Sequence, residues 1–190
     1  LAQFRRRGIH AVGISGIDGG IISARRRPPK DILDKDTGER TTIDFGHVGD
    51  VVSVDVALIN AMLAEGYLPI VSSLGADDDG RVFNINADTI AAEIAVSLHA
   101  EKLILLSDVN GIYLKPEDET TKLSCITTDD ARGMIETGKA LGGMVPKLES
   151  LISLLERGVA SAHVVSGTHR NAILAEVFTD EGTGTMVVRS

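Results

Sequence analysis

Short apolar runs rich in β-branched residues alternate along this chain with longer segments of helical period, and that alternation narrows the fold more than any other feature. Strand, helix and strand in succession are the unit of a parallel sheet covered by helices, so the pattern predicts an α/β protein. Residues 11–15 and 21–24 read as strands joined by the turn Gly16-Ile17-Asp18-Gly19-Gly20, and 68–73, 102–108, 162–166 and 186–188 read as further strands. Helices are expected at 86–100, where Ile90, Ile94 and Leu98 recur every fourth residue, at 128–136, at 146–157 with Pro146 in the first position, and at 170–178. Ser53 reads as the N-cap of another helix, with Val54, Leu58, Met62 and Leu63 on one face and Gly66 ending it. Between 25 and 44 the period lapses. Arg25-Arg26-Arg27, Pro28-Pro29 and mixed charges there describe a solvated excursion, a long hairpin or loop.

Charge and cysteine exclude several classes of function. With 19 Lys+Arg against 27 Asp+Glu in 190 residues, the net charge of −8 makes nucleic acid a poor partner. No run approaches the roughly 20 apolar residues that a membrane span needs, and an apolar fraction of 43% is that of a soluble globular protein. The single Cys125 rules out an internal disulfide, reads as a small filler, and makes a reducing cytoplasm the expected location. The five histidines, His10, His47, His99, His163 and His169, show no metal-ligand spacing and no Ser/His/Asp arrangement, so no metal ligand is expected. Leu1 to Gly8 read as the end of an amphipathic helix rather than a signal peptide, so the chain reads as beginning in mid-protein.

Three segments could carry chemistry. In Phe83-Asn84-Ile85-Asn86-Ala87-Asp88, two amides and a carboxylate approach one helix N-terminus, where they could hold a small polar ligand or cap the helix. In Gly138-Lys139-Ala140-Leu141-Gly142-Gly143-Met144-Val145-Pro146-Lys147, a glycine-rich approach ends at a lysine expected in the second position of a helix. The macrodipole disfavours a cation there, a conflict that either a bound phosphate or exposure to water resolves. Ser107-Asp108-Val109-Asn110-Gly111-Ile112-Tyr113 leaves the carboxyl end of an apolar strand, the usual place for a ligand in an open α/β sheet, although its residues are equally good turn formers. No Walker A sequence and no G-x-G-x-x-G fingerprint is present.

These segments, with Asp44-Phe45-Gly46-His47-Val48-Gly49, Gly66-Tyr67-Leu68-Pro69-Ile70 and Phe178-Thr179-Asp180-Glu181-Gly182-Thr183-Gly184-Thr185, resemble the acetylglutamate kinases of the amino acid kinase family, in the family's order and over nearly the whole chain. The resemblance implies a three-layer αβα sandwich with a mainly parallel central sheet, N-terminally incomplete. Residues 1–85 would be the remaining part of an acetylglutamate-binding and dimerisation lobe, and 86–190 an ATP-binding lobe. It implies ATP-dependent phosphorylation of the side-chain carboxylate of N-acetyl-L-glutamate in arginine biosynthesis, with Mg2+ arriving on the nucleotide. By the same resemblance Lys147 and Asp88 are catalytic, the lysine stabilising phosphoryl charge and the carboxylate holding catalytic lysines in place. Asn84, Asn86 and Ala87 would bind acetylglutamate. Ser107, Asp108, Val109, Asn110, Gly111, Ile112, Gly142, Gly143 and Met144 would line the ATP site, and His163, Glu176 and Gly182 would form an arginine effector site. A homo-oligomer is implied for the complete protein. The family's upstream lysine, Gly-Gly loop and substrate arginine have no counterpart here. That leaves open a fragment inactive or weakly active alone, a sister enzyme acting on an acylated aminoadipate or similar carboxylate, and a non-catalytic nucleotide- or arginine-binding module.

Overall fold

The computed structural model describes residues 1–33, 40–115, 118–140, 144–179 and 182–190, and it divides into two compact units, Leu1–Ile90 and Ala91–Ser190. The first contains α1 (Ala2–Arg6), β1 (Ala11–Ser15), β2 (Ile22–Arg26), β3 (Lys30–Leu33), β4 (Arg40–Ile43), β5 (Gly49–Val54), α2 (Ala57–Ala64), β6 (Leu68–Ser72), β7 (Leu74–Ala76), β8 (Val82–Asn84) and the start of α3 (Ala87–Ser97). Strands β1 and β6 pair in parallel, Ala11 opposite Leu68 and Ser15 opposite Ser72. A second sheet has the order β5-β2-β7-β8, parallel between β2 and β7 and antiparallel at its two outer pairings. Its core is built on Ile21, Ile22, Phe83 and Ile85, each at most 2% exposed and each stabilising the unit by about 1.5–3 kcal/mol. Gly16 is required where the chain leaves β1: a Cβ there would lie 2.0 Å from the Leu74 carbonyl oxygen.

Ser53 is not a helix N-cap. It lies in β5, where Ser53 and Val54 pair with Ser23 and Ile22, and that ladder satisfies backbone groups that a helix start would leave open. The helix begins at Ala57, whose N–H the Asp55 carboxylate accepts at 2.9 Å, and Ile59 is the residue it buries, while Leu63 is 47% exposed. The excursion forms a hairpin, β3 against β4 with Lys30 opposite Ile43; residues 34–39 of it lie outside the described residues. Ion pairs at its base, Arg26 with Asp44 and Arg27 with Asp50 at 2.7 Å each, are largely solvated and contribute little.

The second unit continues α3 and adds β9 (Lys102–Ser107), β10 (Ile112–Tyr113), β11 (Lys122–Leu123), β12 (Cys125–Thr127), α4 (Thr128–Glu136), α5 (Met144–Glu156), β13 (Ser161–Ser166), α6 (Ala172–Phe178) and β14 (Thr185–Val188). The four-stranded sheet runs β12-β14-β13-β9, with β12–β14 and β13–β9 parallel and β13–β14 antiparallel. All six residues of β13 are buried, which requires cover on both faces. Ala162 and Val164 join Leu105, Val187, Ala95 of α3 and Leu148, Leu151 and Leu155 of α5 in one apolar core. His163 points the opposite way, to Glu176 of α6. Helices therefore cover both faces of a mainly parallel sheet, the three-layer arrangement expected.

Two local expectations change. Helix α5 is described from Met144, so Lys147 is its fourth described residue rather than its second, and Pro146 sits in the first turn, where a missing N–H leaves no bond unmade. Cys125 is exposed on β12, at the edge of the sheet, instead of filling a gap in the core. Helix α4 opens with a capping box, Thr127 Oγ1 accepting the Asp130 N–H while Asp130 accepts the Thr127 N–H at 2.9 Å. No described helix is long and apolar enough to cross a membrane.

Candidate functional site

Strands β9 and β13 run parallel and in register and end side by side at Ser107 and Ser166, so the chain beyond them opens where α/β sheets hold ligands. A cavity of about 380 Å³ lies there. Ser107, Asp108, Val109, Gly111 and Tyr113 wall it after β9, Met134, Lys139 and Ala140 close it from the end of α4, and Met144 and Lys147 come from α5. Two methionines, a valine and an alanine make a surface suited to a flat apolar group, and two lysines can meet an anion. Lys147 Nζ donates to Ser107 Oγ at 3.3 Å, and Ser107 Oγ donates to Asp108 Oδ1 at 3.1 Å.

The loop after β9 is fixed from below. Gly111 has φ +109, and an added Cβ would meet Thr185 Oγ1 at 2.7 Å, so the position takes glycine on both counts. The buried Thr185 accepts the Ile112 N–H at 2.8 Å and donates to the Leu123 carbonyl, tying loop to sheet. The Ile112 side chain is fully buried in the apolar core. Asn110 faces a second, more polar cavity of about 470 Å³, which shares Asp108, Val109 and Tyr113 with the first and includes Glu119, Lys122, Thr168 and His169. Among the described residues Asn110 Oδ1 is the buried side-chain atom with no hydrogen-bond partner.

The other expected residues fall in two groups. Asn84 is exposed at the end of β8, its N–H donating to the His47 carbonyl at 2.7 Å. Asn86 is exposed and its Oδ1 accepts the Thr89 N–H at 3.0 Å, so it caps α3; Ala87 is exposed and Asp88 half-buried in that helix's first turn. His163, Glu176 and Gly182 come together: His163 Nδ1 lies 2.7 Å from Glu176 Oε1, and a Cβ on Gly182 would lie 2.8 Å from Glu176 Oε2. Burial pushes the Glu176 carboxyl up, and hydrogen bonds from His163 and from the Gly184 and Thr183 N–H groups outweigh it, holding the group below the ordinary carboxylate range. Gly142 and Gly143 lie outside the described residues. Met134 escaped the sequence reading, whereas Tyr113, Lys139 and Ala140 lie in segments singled out there without a role of their own, and Thr185 in a segment that carries the resemblance. The amphipathic period of α4 marks Met134 as inward-facing, but nothing local announces that it borders a cavity. Among the described residues no group of three or more His, Cys, Asp or Glu side chains could hold a metal ion.

The second unit is a three-layer α/β arrangement with a largely apolar, lysine-bearing cavity at the carboxyl ends of two parallel strands. The model of the amino acid kinase family matches residues 1–166, and the chain belongs to that family. It is 42% identical to the acetylglutamate kinase of Methanothermobacter thermautotrophicus over 95% of this chain and 61% of that protein. It is also 42% identical to the acetylglutamate kinase of Myxococcus xanthus, over 100% and 61%. The chain thus spans about three fifths of the length of these relatives. Among solved structures, N-acetylglutamate synthase from Neisseria gonorrhoeae, complexed with coenzyme A and L-arginine, superposes with a TM-score of 0.74 at 25% identity, over 95% of this chain and 38% of that one.

Proposed function

We propose that this chain is the ATP-binding portion, with part of the acetylglutamate-binding portion, of an acetylglutamate kinase: ATP phosphorylates the side-chain carboxylate of N-acetyl-L-glutamate to give the acyl phosphate. The observation that carries the reading is the cavity at the end of β9, with Lys147 Nζ 3.3 Å from Ser107 Oγ. Methionines on both sides suit a purine, and Lys147 suits the phosphates. The nucleophile is already ionised at neutral pH, so the reaction needs no general base; positioning and charge neutralisation supply the rate. In this reading residues 86–190 hold ATP and 1–85 serve acetylglutamate, with Asn84, Asn86 and Ala87 as its contacts and Asp88 as the carboxylate that organises catalytic lysines. Mg2+ enters on the nucleotide in this reading, held mainly by phosphate oxygens.

Regulation by arginine belongs to the same proposal, around His163, Glu176 and Gly182, and the likeness to a synthase solved with L-arginine supports it. Glu176 Oε1 meets His163 Nδ1, Oε2 accepts two backbone N–H groups, and the side chain is 5% exposed, so an effector that pairs with it must reach a buried carboxylate. A cytoplasmic location and assembly as a homo-oligomer complete the reading.

The test is a titration with a fluorescent ATP analogue followed by trapping of the acyl phosphate with hydroxylamine. Binding plus a hydroxamate from N-acetyl-L-glutamate, and not from an acylated aminoadipate, supports the proposal. Nucleotide binding without hydroxamate leaves a binding module, and no binding removes the reading. Calorimetry with arginine that shows no heat removes the regulatory part.

A further inference from the structure

Ser107 ends β9 with a hydroxyl that touches two charged side chains. Its Oγ receives Lys147 Nζ at 3.3 Å and lies 3.1 Å from Asp108 Oδ1, with the Val109 N–H reaching the same oxygen at 3.5 Å. The residue is 9% exposed, and its backbone is held by the parallel register with Ser166 and by the Gly167 N–H, which donates to the Ser107 carbonyl at 2.7 Å. A serine hydroxyl has one hydrogen and two lone pairs, and an ionised carboxylate only accepts. The hydrogen therefore goes to Asp108, which turns the lone pairs toward the ammonium of Lys147. Each bond of such a chain polarises the next.

Lysine is a compact charge on a flexible stem, and a cavity that must meet an anion at a fixed point gains from narrowing the arc of that stem. A hydroxyl does this without cancelling the charge. We infer that Ser107 is a positioning residue for Lys147: it holds Nζ at the wall of the nucleotide cavity, and Asp108 orients the hydroxyl that does so. The inference deepens the proposed kinase reading and takes from it the anion that Lys147 meets. The Val109 N–H at 3.5 Å is the contact a turn-forming serine makes, whereas the bonds to Lys147 and Asp108 are ones that turn formation does not require.

The test compares wild type, Ser107→Ala and Ser107→Thr in the whole chain, with two readouts. In the hydroxamate assay Ser107→Ala is expected to lower kcat by about tenfold or more while KM for ATP stays within about threefold, and Ser107→Thr, which keeps the hydroxyl, returns most of the lost rate. Wild-type kcat in Ser107→Ala, or a Ser107→Thr variant as slow as Ser107→Ala, overturns the inference. The second readout is lysine side-chain NMR. The Lys147 signal is expected to move toward that of a solvated lysine in Ser107→Ala and to remain in place in Ser107→Thr; a Lys147 signal unmoved in Ser107→Ala also overturns the inference. If wild type yields no hydroxamate, the kinase reading of this chain fails, and the NMR comparison alone decides the role of Ser107.

Discussion

His163 Nδ1 lies 2.7 Å from Glu176 Oε1, and with side chains 6% and 5% exposed the two residues join β13 to α6 through a sealed polar contact. An ionised carboxylate only accepts, so Nδ1 carries the hydrogen; the second carboxylate oxygen takes the N–H groups of Thr183 and Gly184 at 2.7 and 2.8 Å. The Glu176 carboxyl is thereby held below its ordinary value of 4.5, burial being outweighed by those bonds. A carboxyl with a lower pKa folded than unfolded contributes stability that is complete above the unfolded value and lost as pH falls through the folded one. The melting temperature should therefore decline as pH drops below about 4.5. Glu176→Gln should flatten that decline and cost about 1–3 kcal/mol at neutral pH. Melting curves of the two proteins from pH 7 to pH 3 check this; parallel declines would count against it.

The loop that walls the cavity should answer to Thr185, although that residue does not border the cavity. Thr185→Val keeps the shape and removes the hydroxyl that accepts the buried Ile112 N–H, which should cost about 1–3 kcal/mol in urea denaturation. Gly111→Ala places a methyl group 2.7 Å from that hydroxyl at φ +109, and should weaken binding of a fluorescent ATP analogue as well as stability. A Gly111→Ala protein with wild-type analogue affinity would show that the loop's conformation does not shape the site.

Much of this architecture could be read from period alone, because short apolar runs such as those expected at 11–15, 102–108 and 162–166 have few alternatives once helices flank them; the strands observed are Ala11–Ser15, Lys102–Ser107 and Ser161–Ser166. Ser53 misled because a serine before spaced apolar residues is also what an edge strand looks like; pairing with β2, invisible in the local sequence, decided it. Lys147 lies two positions further into the helix than a proline at its first position implies, because α5 already includes Met144. Ser107 and Asp108 were marked by their place at a strand end. The Thr185 tie and the contact of His163 with Glu176 join residues far apart in the chain, and no local pattern encodes either distance.

Burial separates leucines that look alike in the sequence. Leu148 is 0% exposed among Leu151, Leu155, Ala162 and Val164, whereas Leu106 is 54% exposed although it sits in the apolar run of β9. Leu148→Ala should cost about 2–5 kcal/mol, because the removed methyl groups leave a cavity between α5 and the sheet. Leu106→Ala should stay within about 0.5 kcal/mol. Chemical denaturation of both variants measures the difference, and similar losses would mean that the apolar core is centred elsewhere.

Lys147 gives the sharpest separation of binding from chemistry. On the proposed reading its ammonium meets charge that grows on the transferring phosphoryl group, so its contribution belongs to the transition state more than to the bound substrate. In a complete enzyme Lys147→Ala should lower kcat by roughly 10²–10³ while acetylglutamate affinity, measured by calorimetry, stays within about threefold. Because α5 buries Leu148, Leu151 and Leu155 in the core, the helix should keep its place when the lysine is truncated, and circular dichroism should be unchanged. Equal losses of turnover and acetylglutamate affinity would assign Lys147 to uniform substrate binding and take the transition-state role away from it.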